Sequence, residues 1–316
     1  MSLNNYSNFQ FVVSEPSRKN NLSVFFLSTE EKKVDNFLCF SEALKKDLVS
    51  VNEVNERGSV RYLKLSNKSN QKILVLESEV ITGNALKQDR VVDRTTLIPE
   101  NTTIMLQVKC CEKNRWSPAV ANNLSVSDTL FFSKGRLDNS IDIYEKSKTD
   151  QFKIWDNISE RLKDFKIRSF TGSTEEIYQK RKKDIEDLLL SFKPKFNSLG
   201  VAIAIGNRII SIDIFSDSNI FNFYFPKILR SVIIDSYTKK PYQNFICKEN
   251  VYKLLRQFEK AVKKLHKSPG GCLGEEIKFS NNQVVGSYLQ YNDMMIHFSG
   301  FLKDSPDIPQ YKSEVA

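Results

Sequence analysis

"KILVLESEVITGNALKQDRVVDRTTLIPENTTIMLQVKCCEKNRW", residues 72–116, decides how this chain is read. Three apolar runs rich in Val, Ile and Leu are separated by Gly83 and by Pro99-Glu100-Asn101, the punctuation of strands and turns. Strand alternation places Ile73, Val75, Glu77, Glu79 and Ile81 on one face, so two carboxylates continue an apolar stripe. A carboxylate there stands either at a strand's exit into solvent or against a pocket. By the same parity Gln88, Arg90, Val92 and Arg94 share a face, as do Ile104, Leu106, Val108, Cys110 and Glu112, with Arg115 and Trp116 just beyond. If the three runs are neighbours in one sheet, Glu79, Gln88, Arg90, Glu112, Arg115 and Trp116 converge at one end.

Upstream, "FQFVV", "LSVFFL" and "SVRYLKLS" are further strands, interrupted by one helix at "FSEALKKDLV" with Ser41 as its cap. This spacing predicts a sandwich or a partly closed antiparallel sheet. Downstream the period changes. Phe152, Trp155, Ile158 and Leu162 predict an amphipathic helix over 150–165, and Ser173 with Glu176 is a capping-box pattern opening a second helix. "LGVAIAIGNRIISIDIF" predicts a tight hairpin around Gly206-Asn207. Helices are expected after Pro226 and from Glu249, and "QVVGSYLQY" with "MMIHFSGFL" closes the chain as a strand pair. The expected class is α+β: a β-rich antiparallel domain or sandwich over 1–130 and a mixed helical and hairpin half over 131–316 packed against it, with a soft boundary that leaves one compact unit as the alternative.

A length of 316 residues suffices for a core that needs no covalent staples. Five scattered cysteines without a C-x-x-C spacing fit a reducing compartment. Two histidines argue against a His-rich metal site, and no cofactor is called for. No apolar run reaches the length of a membrane span, and the start lacks the character of a secretory signal, so the expected location is cytoplasmic. The net charge of +9 comes from 47 basic against 38 acidic residues. Many lysines have acidic neighbours along helices, as solvated faces do, so the field favours an anionic small molecule over a polynucleotide.

The converging residues suit a nucleotide-like ligand. An arginine fork matches phosphate oxygens, an indole stacks on a base or sugar, and a glutamine amide reads an edge by donating and accepting. The same residues also read as ordinary cross-strand pairs, since parity fixes faces and not distances. Cys110 and Cys111 point to opposite faces, so only one could enter a pocket. His297, alone on an apolar strand, reads as a core histidine before a catalytic base. The glycines of "SPGGCLGEE" lack the following helix of a phosphate-binding loop.

Beyond parity, the stretch resembles the signature of a family associated with ADP-ribosylglycohydrolase and rhodanese-phosphatase genes. That signature has a Gly-Glu, a Gly, a Gln-Asn-Arg and a Cys-x-Glu-x-x-Arg-Trp. Here stand Ser78-Glu79, Gly83, Gln88-Asp89-Arg90 and an intact Cys110-Cys111-Glu112-Lys113-Asn114-Arg115-Trp116. "FKIWDNI", "SFTGST" and the hairpin ending at Asp213 and Phe215 are similar too, so the resemblance spans most of the chain. It implies one common site and chemistry on ADP-ribose or another nucleotide derivative, often in conflict between host and phage; Asp89 in place of Asn adds a negative charge beside Gln88.

The reading that joins both lines is an enzyme acting on a nucleotide or ADP-ribose-like substrate. Glu79 or Glu112 is then the acid or base, Arg90 and Arg115 hold phosphate, Gln88 orients sugar or base, and Trp116 stacks. Asp213, ending an apolar strand, joins as a ligand-binding residue of second rank. The alternative is a nucleotide-sensing or sequestering protein that uses the same residues without turnover, and a third reading is nucleic-acid binding through the basic surface.

Overall fold

In the computed structural model the described residues are 11–29, 37–83, 85–116, 124–146, 150–237, 244–262, 266–269 and 272–303. The chain begins with β1 (Val12–Val13), β2 (Ser17–Lys19) and β3 (Leu22–Ser28). Next come β4 (Phe37–Cys39), α1 (Phe40–Lys45), β5 (Val49–Glu53), β6 (Tyr62–Asn67), β7 (Lys72–Val75) and β8 (Glu79–Thr82). β9 (Arg90–Val92), β10 (Thr96–Ile98), β11 (Thr103–Cys110) and β12 (Ser125–Leu130) complete the N-terminal β region. Three helices follow: α2 (Ser133–Lys146), α3 (Gln151–Asp164) and α4 (Thr174–Leu189). The remainder is β13 (Ser198–Ile205), β14 (Arg208–Phe215), α5 (Ser218–Ser236), α6 (Lys248–Val262), β15 (His266–Pro269), β16 (Glu275–Ser280), β17 (Val284–Tyr291) and β18 (Met294–Leu302).

These strands form a nine-stranded sheet in the order β1-β3-β13-β14-β18-β17-β16-β15, with β2 also on β3. A six-stranded sheet runs β12-β8-β9-β11-β6-β5, and a three-stranded one β10-β7-β4. All pairings are antiparallel except β4 with β7. The α+β class is therefore observed. Strands from both sides of residue 130 share the large sheet, because β3 pairs with β13 from Leu22↔Ile205 to Ser28↔Ser198.

Period two in β3 and β13 explains the layering. Val24, Phe26, Val201 and Ile203 face the core covered by α5 and its neighbours, whereas Phe25, Leu27, Ala202 and Ala204 face the core under α6. Both faces are dry, so these strands are nearly uninterrupted apolar runs. A third core lies among the N-terminal strands, with Leu63, Leu65, Ile81, Leu106 and Val108.

Several elements differ from expectation. "KILVLESEVI" is not one strand: Ser78 takes φ +67, its N–H donates to Val92 O, and the chain passes from β7 in one sheet to β8 in another. The parity argument that put Glu77 and Glu79 on one face fails at this turn. α5 begins at Ser218 rather than after Pro226, because the Asp217 carboxylate caps it through the N–H groups of Asn219 and Ile220 and the helix runs through the proline. α2 differs from expectation, being polar and containing Gly135, where a Cβ would run into the Phe131 ring. Ser41 does not cap α1; Cys39 occupies that place with no side-chain bond. At α4, Ser173 accepts from the Glu175 N–H, but Glu176 takes Ser169 and Thr171 hydroxyls instead of closing a capping box. Helices α3 and α4, the Gly206-Asn207 hairpin and the closing β17–β18 pair form as expected. Gly270 and Gly271 of "SPGGCLGEE" lie outside the described residues.

Candidate functional site

The turn between β8 and β9 begins at Gly83, whose φ of +126 suits a residue without a Cβ. Its N–H donates to Asp89 Oδ1 at 3.3 Å, and buried Leu86 pins the turn to the N-terminal core. β9 then pairs with β11, Arg90 opposite Cys110, which carries the two halves of the motif onto adjacent strands. Beyond Cys110 the chain bends, and Glu112 makes a bridge to Ser173 at the start of α4.

Glu112 is the hub. Its Oε2 accepts from the Asp89 N–H at 3.0 Å and from Arg115 Nε at 2.6 Å, and its main-chain O accepts from Gln88 Nε2 at 2.9 Å. Arg115 also donates to Asp89 Oδ1 at 3.1 Å and Leu86 O at 2.7 Å. Arg90, with no exposed side chain, donates to Gln88 Oε1 at 3.3 Å and Ser59 O at 3.2 Å, and sits 3.5 Å from Glu53. Its guanidinium carbon lies 5.7 Å from the centre of the Trp116 ring, with Lys87 Nζ 6.0 Å away. Trp116 is 46% exposed, the wet edge of an otherwise buried cluster.

Asp89 is the unusual member. Burial, then the adjacent Glu112, pushes its carboxyl up to about 6, against Arg115, the Ser173 hydroxyl and the Gly83 N–H. A carboxyl that exchanges its proton near neutrality suits acid–base work. Sequence reading treated Asp89 only as a departure from a pattern; its position between Gln88 and Arg90 was the available signal. The neighbouring thiols do not fit nucleophilic chemistry. Burial raises both Cys110 and Cys111, away from the thiolate form, and Cys110 donates to Glu112 O at 3.2 Å.

The other two residues read from sequence belong to different networks. Fully buried Glu79 accepts from Lys227 Nζ at 3.1 Å, the Leu76 N–H at 3.0 Å and the Tyr224 hydroxyl at 3.4 Å, and it shares none of these partners with Glu112. Asp213 pairs with Arg136 at 2.5 and 3.3 Å, both side chains wholly buried. Arg136 also reaches Glu77, which accepts from Ser299 as well. His297 stands on the far side, Nδ1 at 3.1 Å from Thr95 Oγ1 and Nε2 at 3.5 Å from Asp213, too long for a good hydrogen bond. Burial would raise the Asp213 carboxyl, but Arg136 and His297 overcome it and hold it at about 2.

Beside the motif lies a cavity of about 400 Å³, lined by Arg61, Lys109, Lys146, Asp150, Gln151 and Phe152. Two contacts join it to the motif. The Gln151 amide accepts from the Cys110 N–H at 3.0 Å and donates to the Cys110 O at 2.7 Å, as a neighbouring strand would. Arg90 holds the carbonyl of Ser59, next to Val60 in the cavity wall. Sequence reading missed this cavity, whose cations come from a loop, a strand and a helix end.

The family model of the ARG and Rhodanese-Phosphatase-superfamily-associated Protein domain matches residues 10–301. The chain belongs to this family. No curated protein and no solved structure matches it. The domain takes in all three buried networks and the cavity, from β1 to nearly the end of β18. Its association with ADP-ribosylglycohydrolase fits a role around ADP-ribose in broad terms. Among the described residues no three His, Cys, Asp or Glu side chains are grouped to hold a metal ion, and no helix is long and apolar enough to cross a membrane.

Proposed function

We propose that this protein binds a nucleotide-derived phosphate ester of the ADP-ribose class in the cavity beside the Glu112 motif. One observation carries the reading: a space of about 400 Å³, within the range of small-molecule sites, walled by three cations against one carboxylate and joined by hydrogen bonds to the family's signature residues. Arg115 gives its Nε and both terminal nitrogens to protein acceptors, and Arg90 gives both terminal nitrogens while its Nε is buried without a partner among the described residues. Lys146 is paired with Asp142, so the phosphate contacts fall to Arg61 and Lys109, while the motif arginines hold the wall in shape. The family's association with ADP-ribosylglycohydrolase supports the choice of ligand class.

Turnover is the second reading, and the Asp89 carboxyl favours it. An acid near 6, held beside Glu112 and Arg115, supplies a group able to protonate a leaving oxygen. The test is incubation of the purified protein with ADP-ribose, NAD and AMP, following thermal stability and products by mass spectrometry. A shift that disappears in Lys109→Ala is expected for binding. Product formed by the wild type and lost in Glu112→Gln identifies an enzyme, and a shift without product identifies a sensor or sequestering protein. No shift with any nucleotide, together with salt-sensitive binding to DNA or RNA, overturns the proposal.

A further inference from the structure

The cavity is electrically lopsided, and its asymmetry orients a ligand. At one side are Arg61 and Lys109. Among the described residues no carboxylate pairs with Arg61, and Lys109, largely buried, lies 3.6 Å from Asp93, longer than a tight ion pair. At the other side is the start of α3, where the Asp150 carboxylate accepts from the Phe152 N–H at 2.9 Å and occupies the helix end. Lys146 on that side is already bound to Asp142 at 3.2 Å. A phosphate is repelled by Asp150 and drawn to Arg61 and Lys109, so the neutral part of a nucleotide points to the α3 end.

That end offers a flat apolar surface. Phe152 is 70% exposed although it sits in the first turn of a helix with a buried face available. Its ring meets Trp155 at 86° and 5.6 Å, and a perpendicular contact leaves at least one phenyl face open. Lys113, from the signature motif, stands 5.6 Å from the centre of the Trp155 ring and ties that indole to the motif. The Gln151 amide is held by Cys110 through one bond at its oxygen and one at its nitrogen, which fixes its orientation along β11.

We infer that Phe152 is the stacking platform for the nucleobase of the ligand, with Trp155 behind it and the phosphates on Arg61 and Lys109. The inference rests on the cavity being the nucleotide site, and it names the ligand as one with an aromatic base, not a sugar phosphate alone. Base–aromatic stacking depends on the π-face and tolerates different bases, so it sets the requirement for a base more than its identity.

Calorimetric titration with ADP-ribose and with ribose 5-phosphate tests it. Wild-type protein is expected to bind ADP-ribose at least tenfold more tightly than ribose 5-phosphate. Phe152→Ala, at an exposed position that leaves the fold intact, is expected to weaken ADP-ribose by roughly tenfold and leave ribose 5-phosphate unchanged. Phe152→Tyr is expected to restore the loss, and Lys109→Ala to weaken both ligands. Equal binding of the two ligands by wild type, or an unchanged ADP-ribose affinity in Phe152→Ala, refutes the stacking role while the cavity remains the site. Failure of both ligands to bind wild-type protein refutes the stacking role and the site together.

Discussion

Two buried networks in this molecule have nearly the same parts and opposite electrostatics. Each has two carboxylates and one arginine: Asp89 and Glu112 with Arg115, and Asp213 and Glu77 with Arg136. Asp213 receives both terminal nitrogens of its guanidinium, one at 2.5 Å, and is held at about 2. Asp89 receives a single 3.1 Å contact, because Arg115 gives its closest bond to Glu112, and burial drives it up to about 6. The lesson is that where one cation serves two acids, its orientation decides whether a buried aspartate is held below the ordinary carboxylate range or driven above it. One network becomes a rigid tie between the two halves of the chain, and the other holds a carboxyl that takes up a proton near pH 6.

The comparison can be broken most severely at the tie. Arg136→Met leaves two buried carboxylates without their cation, and a loss on the order of 3–5 kcal/mol is expected in denaturant unfolding. Asp89→Asn works in the opposite direction. Its amide keeps the acceptor for Gly83 and Arg115 and donates to Ser173, while the cost of a buried charge disappears. A gain on the order of 2–3 kcal/mol at pH 7 is expected, read from the denaturant midpoint.

The pH dependence sharpens the contrast further. Asp89 is raised in the folded state, so between about pH 6 and pH 4 the folded protein binds a proton that the unfolded chain does not. Its contribution to stability therefore grows as pH falls through that window. Asp213 is depressed, so its contribution is present above about pH 4 and is lost as pH falls toward 2. Subtracting the stability profile of Asp89→Asn from that of wild type is expected to isolate a slope confined to pH 4–6. A flat difference would show that Asp89 titrates normally. The smallest effect belongs to Ser173→Ala. It removes a hydrogen bond to Asp89 and the cap on Glu175, with an expected cost of about 1–2 kcal/mol by thermal unfolding.

Much of this was legible in the sequence where the signal is local. The hairpin at Gly206-Asn207, the amphipathic α3 and the run from Gln88 to Trp116 need only periodicity and turn chemistry. Gln88, Arg90, Glu112, Arg115 and Trp116 do share one cluster, as strand parity and the family resemblance suggested. The partners of the remaining two residues were not legible. Glu79 answers to Lys227 and Asp213 to Arg136, contacts spanning 148 and 77 residues that no period encodes. The break at Ser78 was hidden because a left-handed serine leaves no mark in hydropathy, and that single residue sends Glu77 and Glu79 to different networks. The cavity was invisible for a related reason: Arg61, Lys109, Lys146 and Phe152 look like scattered surface residues until four elements meet.

The pairing of β3 with β13 also has a consequence for synthesis. Ser28 lies opposite Ser198, so the strand from Leu22 to Ser28, apolar on both faces, leaves the ribosome long before its partner exists. At about 5–20 residues per second the wait is roughly ten to thirty seconds, during which the edge of β3 that will meet β13 stays open and sticky although β1 and β2 can already pair with its other edge. Chaperone capture of ribosome-bound chains is expected to rise once Ser28 has emerged and to fall after Ile205, which would make the middle of this sheet the timekeeper of the whole fold.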